Sequence, residues 1–142
     1  MPWLEFNLQA IGLSQIVLAL IHLGFERRFA WKEDLKTISR LNQQLMYVHT
    51  FFVAFVIFLN GCLSLFAFKA LLEPSGLGIA ISLGLTIFWA LRLFFQFFVF
   101  DRSLWIGRGF ETVIHLVFGV VWLWYAFSYG LIFLNQNGMF TR

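Results

Sequence analysis

The chain has 142 residues, of which 61% are apolar and only 12% are charged. A water-soluble domain needs far more polar surface, so the composition excludes one and indicates that lipid surrounds most of the chain. The net charge of +3 is small, which argues against a basic surface for nucleic acid. The single cysteine, Cys62, excludes an intramolecular disulfide.

Four apolar stretches are long enough to cross a bilayer, which takes roughly 20 residues for a helix. They run over residues 4–25, 45–69, 77–99 and 110–134. Because short connections favour antiparallel neighbours, the sequence predicts an all-α integral membrane protein, an up-down bundle of four transmembrane helices in a single domain, 1–142. The first stretch is expected to be a retained span, since no basic region precedes it.

The connection over residues 26–40 separates the first two stretches and carries five of the ten basic residues. Trp31, Leu35 and Ile38 recur in it at helical spacing among charged residues. This pattern predicts a short amphipathic segment that lies along the membrane surface.

The basic residues also predict the orientation of the chain. The connection between the third and fourth stretches contains Arg102 and Arg108, whereas the opposite side has only Lys69 and Arg142. By the positive-inside rule, the two basic connections face the cytoplasm and both termini lie outside. The expected location is a bacterial inner (plasma) membrane.

The three histidines, His22, His49 and His115, lie near the cytoplasmic ends of three different stretches. At 1.5 Å per residue, each is expected roughly 5–10 Å inside the boundary. Arg92 and Gln96 on the third stretch occupy the matching level. The antiparallel order therefore predicts one polar layer to which all four helices contribute.

Small and polar residues recur along each stretch at helical spacing, and in membranes such residues are typical of helix–helix contacts. We therefore expect these stripes to face inward. They comprise Gly12, Gln15, Ala19, His22 and Glu26 on the first stretch; Asn42, Met46, His49, Val53, Val56, Asn60 and Ser64 on the second; Ser82, Trp89, Arg92 and Gln96 on the third; and Glu111, His115, Gly119, Trp122 and Tyr129 on the fourth.

One interpretation of the layer is a haem b site. The second and fourth stretches can lie diagonally in an up-down bundle, so His49 and His115 are candidates for the two axial ligands. Gly61 and Gly119 would make room for the porphyrin, and Arg92, Arg102 or Arg108 would meet the propionates. The function predicted on this basis is redox chemistry or electron transfer.

A second interpretation is a transition metal, Zn, Fe or Cu, held by all three histidines. Glu26 and Glu111 each lie four residues from a histidine, as a further ligand or as a hydrogen-bond partner that orients the imidazole. A metal-bound water near the surface would also allow a metal-dependent lipid hydrolase.

The alternative is a non-catalytic structural or assembly subunit of a membrane complex, or a homo-oligomer, whose polar groups bond to one another. Trp3, Trp31, Trp105 and Tyr47 are typical of an aromatic belt at the membrane interface. The aromatic run over residues 93–100 favours a lipid-facing surface, and a slot for a quinone or another isoprenoid beside it is a further possibility.

Overall fold

The computed structural model describes residues 2–28 and 30–139, which form helices and contain no strand. Four of these helices are long and apolar enough to cross a membrane, namely α1, α4, α6 and α7. This confirms an all-helical chain with four candidate spans. The helices are α1 (Pro2–His22), α2 (Phe25–Arg28), α3 (Trp31–Asp34), a 3₁₀ turn (Leu35–Thr37), α4 (Arg40–Phe66), α5 (Phe68–Leu72), α6 (Gly76–Phe98), a second 3₁₀ turn (Arg102–Leu104) and α7 (Gly109–Gln136).

Capping residues explain why α4 and α6 begin where they do. The Ser39 hydroxyl accepts a hydrogen bond from the backbone N–H of Asn42 at 3.3 Å, so α4 begins with a polar turn ahead of the apolar stretch. The Ser75 hydroxyl accepts in the same way from Gly78 N–H at 3.0 Å. Hydropathy detects the apolar part of a helix and misses such a polar first turn.

The connection between α1 and α4 is amphipathic but is not one continuous helix. Ala30 adopts a left-handed φ of 50° between α2 and α3. This conformation is incompatible with a right-handed helix at that residue. Trp31 and Leu35 are half-buried, while the charged residues of α3 are exposed.

The chain divides into two compact units, residues 1–68 and 69–142. In the first unit, α1 and α4 pack as an antiparallel hairpin through two glycines. A Cβ atom built on Gly12 would lie 2.6 Å from the backbone nitrogen of Leu65, and one on Gly61 would lie 2.9 Å from the carbonyl oxygen of Gly12. The two backbones therefore touch, as small residues permit in membrane helices.

The packed face of α4 differs from the predicted stripe. Its buried residues are Ala54, Ile57, Gly61 and Ser64. Met46, His49 and Val56, which were expected to face inward, are exposed. Ser64 is buried as predicted, but the prediction for Met46, His49 and Val56 was wrong. It followed the polar side chains, whereas the glycine contact decides which face meets α1. On α1 the prediction is confirmed, since Gly12, Gln15 and Ala19 are all buried.

In the second unit, α6 and α7 form another antiparallel hairpin around buried aromatic rings. Trp89 stacks on Trp122, with ring centroids 5.2 Å apart, and meets Tyr125 edge-on at 4.7 Å. At one end of the hairpin, the Ser82 hydroxyl donates to Gln136 Oε1 at 2.7 Å. Gln136 Nε2 donates to the carbonyls of residues 71 and 73, so this polar cluster is satisfied. The arrangement of the two hairpins as one bundle stays a prediction.

We expect Gly12→Ala to destabilise the first hairpin by about 1–3 kcal/mol, because the added methyl must push two touching backbones apart. Gly84→Ala is the matched control, since a Cβ there meets no atom within 4 Å. Unfolding in detergent, followed by circular dichroism, measures both variants. Equal midpoints for the two variants would contradict the close contact.

Candidate functional site

The candidate site lies at the end of the second hairpin where α6 connects to α7. Five residues compose it, and we term them the His115 cluster: Arg92, Gln96, Trp105, His115 and Trp122. Gln96 and His115 are each only 7% exposed. The cluster is therefore a buried polar network that joins two candidate membrane spans, α6 and α7, and includes Trp105 from the connection between them.

The Gln96 amide has one orientation that satisfies its neighbours. Arg92 Nη1 and Trp122 Nε1 lie 3.1 Å and 3.4 Å from Gln96 Oε1. Both of these nitrogens can only donate, so the amide oxygen must face them. The amide Nε2 then donates to His115 Nδ1 at 3.0 Å.

This hydrogen bond decides the tautomer of His115. Because Nδ1 accepts, the neutral imidazole carries its proton on Nε2. His115 Nε2 is buried and has no hydrogen-bond partner within the described residues. Trp105 stacks on the His115 ring, with centroids 4.1 Å apart and planes 8° from parallel, and its Nε1 is also buried without a partner there. Two stacked rings thus carry two donors that have no acceptor in the part of the chain that the structure describes.

Arg92 brings a positive charge to the same cluster. Its guanidinium lies 4.9 Å from the ring centroid of Trp122 and 5.7 Å from that of Phe100, within the range of cation–π attraction. Across residues 2–28 and 30–139, Arg92 forms no ion pair. A cation that lies in an apolar segment and has no carboxylate partner is stabilised by electronegative oxygen atoms nearby.

Phe97 occupies the space beside the buried glycine of α7. A Cβ on Gly119 would lie 2.7 Å from the Cζ atom of Phe97. The same ring meets His115 edge-on, with centroids 5.3 Å apart. The absence of a side chain at Gly119 therefore makes room for a phenyl ring that helps to enclose His115.

The first hairpin has a separate pocket of about 140 Å³, and we term it the Glu26 pocket. The Glu26 carboxylate lies 3.8 Å from Lys32 Nζ, and Tyr47 lines the same pocket. His22 Nδ1 donates to the carbonyl of Leu18 at 2.8 Å, so the neutral ring has its lone pair on Nε2. The pocket is lined by His22, Leu23, Glu26, Trp31, Tyr47, Thr50, Phe51 and Ala54.

The structure brings some of the predicted metal ligands together and separates others. His22 and Glu26 line the Glu26 pocket, while His49 on α4 is exposed and does not line it. His115 is buried in the second hairpin, and Glu111 is exposed in the first turn of α7. Within the described part of the chain, no group of three or more His, Cys, Asp or Glu side chains is placed to hold a metal. The full ligand set stays a prediction.

Three residues of these sites were assigned from the sequence to an interfacial aromatic belt. Trp105 stacks on His115, whereas Trp31 and Tyr47 line the Glu26 pocket. Trp105 lies in the irregular connection before α7, so no helical spacing relates it to His115. Tyr47 is three residues from Thr50 on α4, a spacing that indicates a shared face once the face towards α1 is known.

The chain matches no protein-family model, no curated protein and no solved structure. A functional conclusion therefore depends on the chemistry of the two sites.

We expect Gln96→Leu to lower the free energy of unfolding by about 1–3 kcal/mol, because His115 Nδ1 and Trp122 Nε1 lose their buried partner. The control is Thr86→Val on the same helix, because the Thr86 hydroxyl donates only to the carbonyl of Ser82 one turn away. Reversible unfolding of both variants in detergent gives the comparison. An effect of Gln96→Leu no larger than that of Thr86→Val would show that the network is not stabilising.

Proposed function

We propose that this protein binds the oxygen-bearing head of a lipid-soluble molecule at the His115 cluster, and that this molecule is a quinone used in membrane electron transfer. The observation that supports the proposal is the pair of buried donors, His115 Nε2 and Trp105 Nε1. A buried donor without an acceptor costs about 1–3 kcal/mol. A carbonyl oxygen of a ligand would remove that cost.

A quinone suits the surroundings of these donors. Its carbonyl oxygens accept hydrogen bonds, and its flat ring packs against aromatic side chains such as Trp105 and Phe97. Arg92 adds a positive charge that favours electron-rich oxygen. Ligand sites are commonly of this kind, mostly apolar walls with a few converging polar groups.

The haem b interpretation fits the cluster less well. An iron atom binds an imidazole nitrogen through its lone pair, but the Gln96 amide already uses that of His115 Nδ1, and Nε2 carries the proton. Phe97 fills the space beside Gly119 that a porphyrin would need, and Gly61 packs on α1. We therefore do not assign the haem to His49 and His115.

If the protein had a purely structural role, its buried polar groups would be expected to form hydrogen bonds with one another. The Ser82–Gln136 cluster at the other end of the hairpin behaves in this way, since its donors reach acceptors at 2.7–2.9 Å. The His115 cluster differs because His115 Nε2 and Trp105 Nε1 have no acceptor among the described residues; Trp89 Nε1, between the two ends of the hairpin, also has none there. That difference favours a ligand at one end of the hairpin and helix packing at the other.

The proposal includes a location and a partner. The basic residues around α2 and α3 and around Arg102 favour the cytoplasmic side of a bacterial plasma membrane for both connections, with the termini outside. The His115 cluster then lies near the cytoplasmic face. Electrons would reach a quinone there from another subunit of a membrane complex.

Titration of the detergent-purified protein with a short-chain benzoquinone tests the proposal. Trp105→Phe keeps an aromatic side chain beside His115 and removes the indole N–H group, so we expect it to weaken binding by about tenfold. His49→Ala is the control, since His49 is exposed and outside the cluster.

Three outcomes would contradict the quinone site. The first is a folded protein that does not bind the quinone, and the second is equal weakening by Trp105→Phe and His49→Ala. The third is a Soret band in the purified protein that is lost in both His49→Ala and His115→Ala variants, because this would establish the bis-histidine haem.

A further inference from the structure

We infer that the Glu26 pocket of the first hairpin binds an ammonium group, such as the choline or ethanolamine head of a lipid or a free amine of the same kind. The inference is independent of the quinone proposal, because it concerns other residues in another hairpin. Four features carry it: the aromatic walls, the carboxylate, the volume and the position along the spans.

The aromatic walls come from the connection and from α4. The rings of Trp31 and Tyr47 both line the pocket, with centroids 5.8 Å apart and planes at 66° to each other. Phe51 lines it as well. A cation is attracted to the face of an aromatic ring, and rings set at a steep angle are the arrangement by which proteins recognise quaternary ammonium groups.

The Glu26 carboxylate supplies the negative charge. It already attracts an ammonium group, because Lys32 Nζ lies 3.8 Å from Oε1. That contact is loose, and the Lys32 side chain is 81% exposed, so the ion pair contributes little. A ligand ammonium inside the pocket can replace Lys32 and release it to solvent.

The volume and position match a lipid head. The 140 Å³ of the pocket equals the volume of about five water molecules, which is enough for the five heavy atoms of a trimethylammonium group. The lining residues of α1 lie at its end, beside the amphipathic connection, and those of α4 begin with Tyr47, about two turns into that helix. Lipid headgroups meet a membrane protein at this level of its spans.

The test uses the full chain in an uncharged maltoside detergent, with binding measured by calorimetry. The probes are tetramethylammonium, choline and 3,3-dimethylbutan-1-ol, which has the shape of choline without its charge. We expect the two cations to bind and the neutral alcohol to bind at least about tenfold more weakly. Equal affinity for choline and the alcohol would overturn the inference, since the pocket would then recognise shape alone.

Matched variants locate the binding. We expect Glu26→Gln and Trp31→Leu each to weaken tetramethylammonium binding by about tenfold. Glu33→Gln is the control, because Glu33 lies in the same connection and pairs with Lys36 at 2.7 Å but does not line the pocket. Circular dichroism verifies that the variants fold. Similar losses in Glu26→Gln and Glu33→Gln would show that only the overall charge matters, which would refute the site.

Native mass spectrometry identifies the source of the ammonium group. Preferential retention of phosphatidylcholine or phosphatidylethanolamine over phosphatidylglycerol, lost in Glu26→Gln, indicates a lipid head. Choline binding without that retention indicates a free amine, and both results support the inferred chemistry. Zinc binding that excludes tetramethylammonium and is lost in His22→Ala but kept in His49→Ala would overturn it, because the pocket would then be a metal site.

Discussion

The amide of Gln96 is the group on which the chemistry of the second hairpin depends. Arg92 and Trp122 donate to its oxygen, so its nitrogen must donate to His115. In water such an amide would exchange partners freely, but inside a membrane span each unsatisfied group is costly, and a single arrangement is retained. The orientation of one side chain therefore decides which nitrogen of the imidazole carries the proton, and with it what the imidazole can bind.

The same constraint distinguishes polar groups that hold helices together from those that have no hydrogen-bond partner among the described residues. In lipid, burial of apolar surface does not bring helices together, so close backbone contacts and hydrogen bonds must. In the first hairpin, Gly12 and Gly61 allow a close backbone contact. In the second hairpin, Ser82 and Gln136 form a hydrogen bond. These contacts join the helices of each hairpin at points outside the His115 cluster.

The helices and three of their four packed faces follow from the sequence, because hydropathy and the 3.6-residue period suffice for α1, α6 and α7. The face of α4 does not follow, because His49 and Asn60 suggest one face and Gly61 determines another. The stacking of Trp105 on His115 was also beyond prediction, since the residues belong to different elements and no spacing relates them. The tautomer of His115 depends on an amide atom 3.0 Å from its ring, and the spacing of residues in the sequence does not specify the position of that atom.

The three histidines show most clearly how environment overrides residue type. His22 donates from Nδ1 to a helix carbonyl, which leaves the lone pair on Nε2, whereas His115 accepts at Nδ1 and has its proton on Nε2. The Nε2 lone pair of His22 suits a metal or an acidic proton. The Nε2–H group of His115 suits a carbonyl oxygen. For His115 to join His22 as a metal ligand, Gln96 would have to turn its amide, and Arg92 and Trp122 would then face an N–H group in an apolar segment. The loss of both hydrogen bonds at once opposes that change, so the imidazoles of the two hairpins differ in the atoms that they can bind.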